Sequence, residues 1–353
     1  MTSIWGKDNV EVYFVRLFLC FTLVVIVTLL VSALFEHGRL VFFSREHTTL
    51  LKGFAISTVL WGHIGLAYHI YSIQWIAGIG VTLFLISSGY GLEASFNKNG
   101  LTNYWKKRVI AVIVPYWIIY LIAVVVIKSD YHLRNIMNVL LFVKANWYIP
   151  YILIIYVIYW FLKVIVLKFK LSQGVFYGLL FACFSLWFVI VSYYFIIESA
   201  PSLLARQMFA FPLGILFYDH YDKIRLFFTR RSMIMTILFL NIMILGIGMN
   251  VLINKLDFIS SLPNLLNNIL SLFTILPLAI VVIRFSCVFY PLFNNAGFKF
   301  MGIVSYEIYL IQYFSRDIVS SNSLSLYACL IVTLILAWGF YWFYSHFKKI
   351  LMK

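Results

Sequence analysis

Two ionisable side chains, Lys52 and His63, stand inside the apolar stretch LLKGFAISTVLWGHIG at residues 51–66. At 100° per residue, eleven steps bring a helix back to within about 20° of its starting direction, so one stripe carries both. Their separation along the axis is about 16 Å, roughly half a hydrocarbon core. A neutral imidazole can take a proton from a hydroxyl, or carry an acyl group briefly. A cation at the mouth of the same stripe suits a phosphate-bearing co-substrate. A proton relay in a transporter would use the same pair. Each residue also has a plainer reading. Lys52 alone reads as a lysine snorkelling to the membrane surface. His63 alone reads as a buried histidine hydrogen-bonded for packing, although ionisable groups at that depth usually face a cavity or a partner. His69 falls at the far end of the same helix and reads as interfacial.

The elements that position this pair are membrane helices. Of 353 residues, 63% are hydrophobic and 11% charged, against about a quarter charged in a soluble domain. Apolar runs of about 20 residues recur, the length that crosses a bilayer core as helix. The pattern predicts an all-α polytopic membrane bundle of about eleven transmembrane helices. They fall near 12–35, 51–70, 76–95, 109–127, 147–166, 174–197, 203–218, 232–253, 265–283, 300–315 and 325–346. The first run is too long for a signal-peptide core and is read as a retained helix. No repeat, low-complexity linker or soluble domain interrupts the series, so the chemistry must lie within the bundle or at its faces.

The net charge of +15 does not point to nucleic acid, because the basic residues sit in short stretches between apolar runs. With the C-terminus in the cytoplasm, 19 of the 27 Lys and Arg fall on the cytoplasmic side, Lys163, Arg284, Lys348 and Lys349 among them. That bias predicts a multi-pass protein with its C-terminus inside; the membrane expected is the plasma membrane, of the bacterial inner-membrane type. The four cysteines lie in or beside apolar runs with no CxxC pair and read as packing residues.

Several blocks, in order along the chain, resemble the acyltransferase-3 family of integral membrane acyltransferases. LKGFAISTVLWGHIG carries a basic residue, ten positions and a histidine: Lys52, residues 53–62 and His63. GIGVTLFLISSGYGLEASFNKNG matches the next element through Gly80, Val81, Phe84, Ser88, Gly89 and Tyr90. NYWKKRVIAVIVPYW supplies a basic cluster ending in Arg108 and a helix with Pro115, and NWYIPYILIIY an aromatic helix start at Trp147 and Tyr148. FPLGILFYDHYDKI and GIVSYEIYLIQ match later blocks. The resemblance covers residues 48–346.

It implies a ten-helix acyltransferase domain over 48–353, preceded by an extra helix and cytoplasmic loop at 1–47. The implied activity is O-acyl transfer, of acetyl most simply, from cytoplasmic acetyl-CoA or another acyl-CoA to a hydroxyl of a cell-surface or lipid-linked carbohydrate. His63 would be base or acyl relay. Lys52 and Arg108 would serve the donor phosphates, and Ser88, Tyr90, Trp147, Tyr309 and Gln312 would contact substrates. Thioester cleavage needs no metal, and no ligand cluster such as HExxH is present. The expected partners are membrane lipid, the carbohydrate acceptor and separate glycan-assembly proteins. Two departures matter. The family more often has arginine at position 52, and lysine lacks its planar fork. Its last block often ends in histidine where this chain has Gln312. In that helix Glu307, a carboxylate at membrane depth, needs a partner. It is either an orienting group for an imidazole such as His63 or half of a structural pair. The competing function classes are an exporter of the same fold without acyl transfer and an inactive structural subunit.

Overall fold

The structure is a computed structural model that describes residues 41–67, 74–127, 132–143, 145–194, 201–230, 232–255, 263–318 and 325–351. The first expected span, at 12–35, and His69 lie outside these residues. Within them all regular structure is helical, as lipid requires of an open chain that must satisfy its own backbone. The principal helices are α1 (Arg45–Ala67), α2 (Ile76–Asn99), α3 (Tyr104–Val125), α4 (Leu133–Leu140), α5 (Tyr148–Lys168), α6 (Gln173–Tyr194) and α7 (Ala210–Asp219). They continue as α8 (Tyr221–Thr229), α9 (Met233–Lys255), α10 (Asn264–Val288), α11 (Ala296–Ile303), α12 (Ser305–Ile318) and α13 (Ser325–Leu351).

The expected count of eleven spans is not reproduced. Among the described residues six helices are long and apolar enough to cross a membrane, or seven if Tyr221–Thr229 and Met233–Met249 form one bent span. Of the expected spans, 12–35 lies outside the described residues, α1 (expected at 51–70) is not among the six, and breaks account for two more. The run expected at 203–218 is interrupted between Ala205 and Ala210, and the run at 300–315 breaks at Val304 into α11 and α12. Hydropathy averages over such breaks. In membrane proteins non-helical backbone at depth is tolerated where it is buried in protein or lines a cavity.

Helix α2 is the hub. Its apolar window is 72% buried, against 22% for α13, and α1, α7 and α10 pack on it. Glycines set the closest approaches. A Cβ on Gly80 would collide with the Ala55 carbonyl of α1, and one on Gly89 with the Phe211 carbonyl of α7. Small residues that let backbones meet are the usual means of membrane helix association. The start of α1 is also pinned by His47. Its Nδ1 accepts from the Phe43 N–H at 3.0 Å, and its Nε2 lies 2.8 Å from the Ser286 hydroxyl of α10.

Two basic residues expected in the cytoplasmic set are instead buried. Lys163 of α5 lies 2.7 Å from Glu93 Oε1 of α2, with its ammonium over the rings of Phe176 and Phe96 at 3.9 and 4.3 Å. Arg284 of α10 donates to the carbonyls of Phe227, Phe228 and Arg230, the orphan acceptors at the end of α8. Lys163 is thus paired with a carboxylate, whereas Arg284 is met by backbone carbonyls alone.

Candidate active site

Helices α1 and α12 run side by side in the same direction and form the site's spine. At one end Lys52 and Ser305 border a common cavity. Further along, Val59 and Tyr309 do the same. Four residues beyond each, His63 Nε2 and the Tyr313 hydroxyl are 3.3 Å apart. Residues four apart stack on one helix face, so the His63–Tyr313 pair lies one turn past the Val59 and Tyr309 walls.

The cavity measures about 340 Å³ and is walled by α1, α2, α3, α5 and α12. From α2 come Phe84, Ser87, Ser88 and Gly91, and from α5 Tyr148 and Tyr156. The Ser88 hydroxyl is 3.0 Å from that of Tyr156, and the Tyr148 ring meets Tyr309 edge-on at 5.4 Å between centroids. Arg108 enters from α3 and lies over the rings of Tyr104 and Tyr156 at 5.7 and 5.4 Å. Two polar atoms on this wall are buried with no hydrogen-bond partner among the described residues: Arg108 Nε and the Tyr309 hydroxyl. Buried polar groups are nearly always paired, so a guanidinium nitrogen and a phenol left without partners on a cavity wall mark a place built for a polar ligand.

Arg108 is aimed by local backbone. Directly after it, Val109–Ile113 forms a π turn within α3. Such turns displace carbonyls from the regular ladder and recur at functional sites. Here two tyrosines satisfy them: Tyr306 of α12 donates to the Val112 carbonyl at 2.7 Å, and Tyr344 of α13 donates to that of Ile110. The C-terminal helices therefore hold the turn that presents Arg108.

A second cavity, about 500 Å³, lies on the other side of Tyr306. Lys52, Ser305 and Tyr306 border both cavities. The second also contains Glu307, Lys348 and Lys349.

The structure thus brings together Lys52, Arg108, Ser88 and Tyr309 around the first cavity, with His63 one turn past its end. Other expected site residues go elsewhere. Tyr90 turns 200° from Ser88 and packs against Phe43 and Tyr218, at 4.8 and 5.3 Å between centroids. Trp147 meets Tyr148 edge-on and Tyr151 at a tilt beside the helix start, and it is the neighbouring Tyr148 that reaches the cavity. Gln312 is buried, with Nε2 donating to the Tyr309 carbonyl at 3.2 Å, and it does not line the cavity. Glu307 lies six residues before Tyr313, about 9 Å down the helix axis. It shares the second cavity with Lys52 and Lys348, so it does not serve as the orienting group of His63. That contact is made by Tyr313.

Tyr306, Tyr313, Tyr156 and the Glu93–Lys163 pair do not emerge as site or bundle residues from sequence. The first two had a visible signal. Tyr306, Tyr309 and Tyr313 are spaced three and four apart, one tyrosine stripe on α12.

The family model described as an acyltransferase domain, that of acyltransferase-3, matches residues 49–344. The chain belongs to the acyltransferase-3 family. No curated protein and no solved structure matches it. Family membership makes this a multi-pass membrane acyltransferase and gives the cavity a reaction class, acyl transfer. Every wall residue named above except the two terminal lysines, Lys348 and Lys349, falls inside the matched range. Among the described residues, no three His, Cys, Asp or Glu side chains gather as metal ligands.

Proposed function

We propose that this acyltransferase moves an acyl group, acetyl in the simplest case, from cytoplasmic acyl-CoA to a hydroxyl of a cell-surface or lipid-linked carbohydrate. The observation that carries the reading is the alignment of a cation, unpartnered polar groups and an imidazole along one axis. Lys52 stands at one end of the cavity, Arg108 Nε and the Tyr309 hydroxyl line it, and His63 lies just past the other end. In this reading the lysine end faces the cytoplasm, as the positive-inside bias favours. The carbohydrate approaches from the opposite face.

In the reaction, the imidazole of His63 takes the proton of the acceptor hydroxyl as its oxygen attacks the thioester carbonyl. A C–O bond forms and the C–S bond breaks. The departing thiolate recovers the proton from the imidazolium, leaving an ester and free CoA thiol. The unpartnered Tyr309 hydroxyl and the Ser88–Tyr156 pair are donors suited to charge developing on the carbonyl oxygen. Tyr313 is a positioning residue that holds the imidazole by its Nε2. Lys52 and Arg108 attract and orient the anionic donor.

The test is acyl transfer by purified protein in lipid discs, with radiolabelled acetyl-CoA and surface glycan as acceptor. Label should enter the glycan as ester and be lost in His63→Ala. Glycan that stays unlabelled with wild-type protein, or labelling that survives His63→Ala, would overturn the reading. Export of glycan by a variant that no longer transfers label would favour the exporter class.

A further inference from the structure

The second cavity is larger than the first, and its walls are more strongly charged. Lys52, Lys348 and Lys349 face it with one carboxylate, Glu307, and with Tyr341 and Tyr344. It lies at the Lys52 end of the spine, away from His63. Lys348 and Lys349 occupy the last turn of α13 and are exposed, so a solute can reach them. The plain reading of two terminal lysines is a surface charge bias. Their place in the lining of a cavity that shares Lys52, Ser305 and Tyr306 with the first gives them a second use.

Coenzyme A carries its negative charge in two groups. The diphosphate adjoins the pantetheine arm that ends in the thioester, and the ribose 3′-phosphate lies farther from it. The cations follow the same order. Lys52 borders both cavities, and Lys348 and Lys349 border only the outer one. Tyr306 stands between, held to the π turn by its bond to the Val112 carbonyl.

The geometry points to the second cavity as the seat of the donor's nucleotide. The 3′-phosphate sits on Lys348 and Lys349, the diphosphate sits at Lys52, and the arm passes Tyr306 into the reaction cavity. This rests on the acyl-CoA reading above and adds residues of α13 to it. Three lysines against one Glu307 leave the lining basic, as a polyphosphate requires.

The test needs no acceptor. Equilibrium binding of CoA and of 3′-dephospho-CoA is measured on the full chain in discs of neutral phosphatidylcholine. One charge-assisted phosphate contact at a wet site predicts that wild-type protein binds CoA roughly tenfold tighter than the dephospho form. Lys348→Gln/Lys349→Gln should erase that preference without weakening dephospho-CoA, and Lys348→Arg/Lys349→Arg should keep it. Equal binding of both ligands by wild-type protein, or a preference that survives the Gln variant, would overturn the assignment while leaving acyl-CoA as donor. No binding of CoA at all would overturn the donor reading with it. Repeating the measurement with phosphatidylglycerol in the discs separates the lipid alternative. If the lysines serve a lipid phosphate instead, CoA binding is the same in both kinds of disc and is unchanged in the Gln variant, and the nucleotide assignment falls; suppression by anionic lipid in wild-type protein and not in the Gln variant places CoA on the lysines.

Discussion

The Glu93–Lys163 pair tests whether α2 and α5, which form two walls of the cavity, are held by a buried ion pair. Both side chains are 2–3% exposed. Glu93 Oε1 receives Lys163 at 2.7 Å and Asn97 Nδ2 at 3.1 Å, and Oε2 receives the Tyr159 hydroxyl at 2.8 Å. Lys163→Met leaves the carboxylate with two neutral donors, which places its cost near the lower end of the range for a broken buried pair, about 3 kcal/mol. Glu93→Gln leaves an ammonium between aromatic faces with only an amide oxygen to meet it, so about 4 kcal/mol is expected. The double variant removes both charges, and its cost should be about 1–2 kcal/mol, because no uncompensated charge stays behind. The coupling is therefore large and favourable, at or above the upper end of the usual range for contacting residues. The assay is thermal unfolding of the four proteins in one detergent, read by intrinsic fluorescence and by loss of monodispersity. Each single variant should melt well below wild type, and the double variant should lie between them and wild type. Additive destabilisation, with the double variant the least stable of the four, would refute the reasoning. It would mean that the two helices are held by the surrounding aromatic packing rather than by the pair.

Three further outcomes are expected. Tyr313→Phe removes the hydroxyl at His63 Nε2. It should lower kcat by about three- to tenfold with KM for the donor unchanged, and displace the pH profile of kcat, checked by steady-state transfer assays. Gly80→Val drives a side chain into the Ala55 carbonyl and Thr58 of α1. A destabilisation of at least 1–3 kcal/mol is expected, with activity lost in parallel, read by thermal unfolding and transfer. Lys52→Met should raise KM for acyl-CoA roughly tenfold or more, and Lys52→Arg, which keeps the charge but fixes its direction, should recover part of that loss without reaching wild type.

Part of this was legible in the sequence. The Lys52–His63 stripe needed only helical arithmetic, and α1 carries both as expected, at the mouth and just past the far end of the cavity. Helical membrane architecture followed from composition. The number of spans did not, because a hydropathy window cannot see that Val304 ends one helix before Ser305 begins another. Tyr90 was drawn in by its place beside Ser88 and Gly89, although two steps along a helix point away from one another. Glu307 was joined to His63 because both are ionisable and deep. Depth along the axis, rather than charge, decides which groups can meet. The Lys163–Glu93 pair spans 70 residues, and no local pattern announces a partner that distant.

The position of Lys52 gives a physical reason for a lysine rather than an arginine there. The residue borders two cavities at once, with Ser305 and Tyr306 on the same boundary. A guanidinium at this boundary would tend to lock in one plane, by stacking on Tyr306 or by a bidentate contact, and would commit to one side. An ammonium on a flexible stem is a point charge that turns toward whichever cavity holds the anion. Arg108 already supplies a fixed guanidinium, stacked over Tyr104 and Tyr156 and aimed by the π turn. Under the function proposed above, one rigid cation on the inner wall and one adaptable cation at the boundary would divide the work of holding a thioester donor that enters past Tyr306 and leaves, as thiol, by the same route.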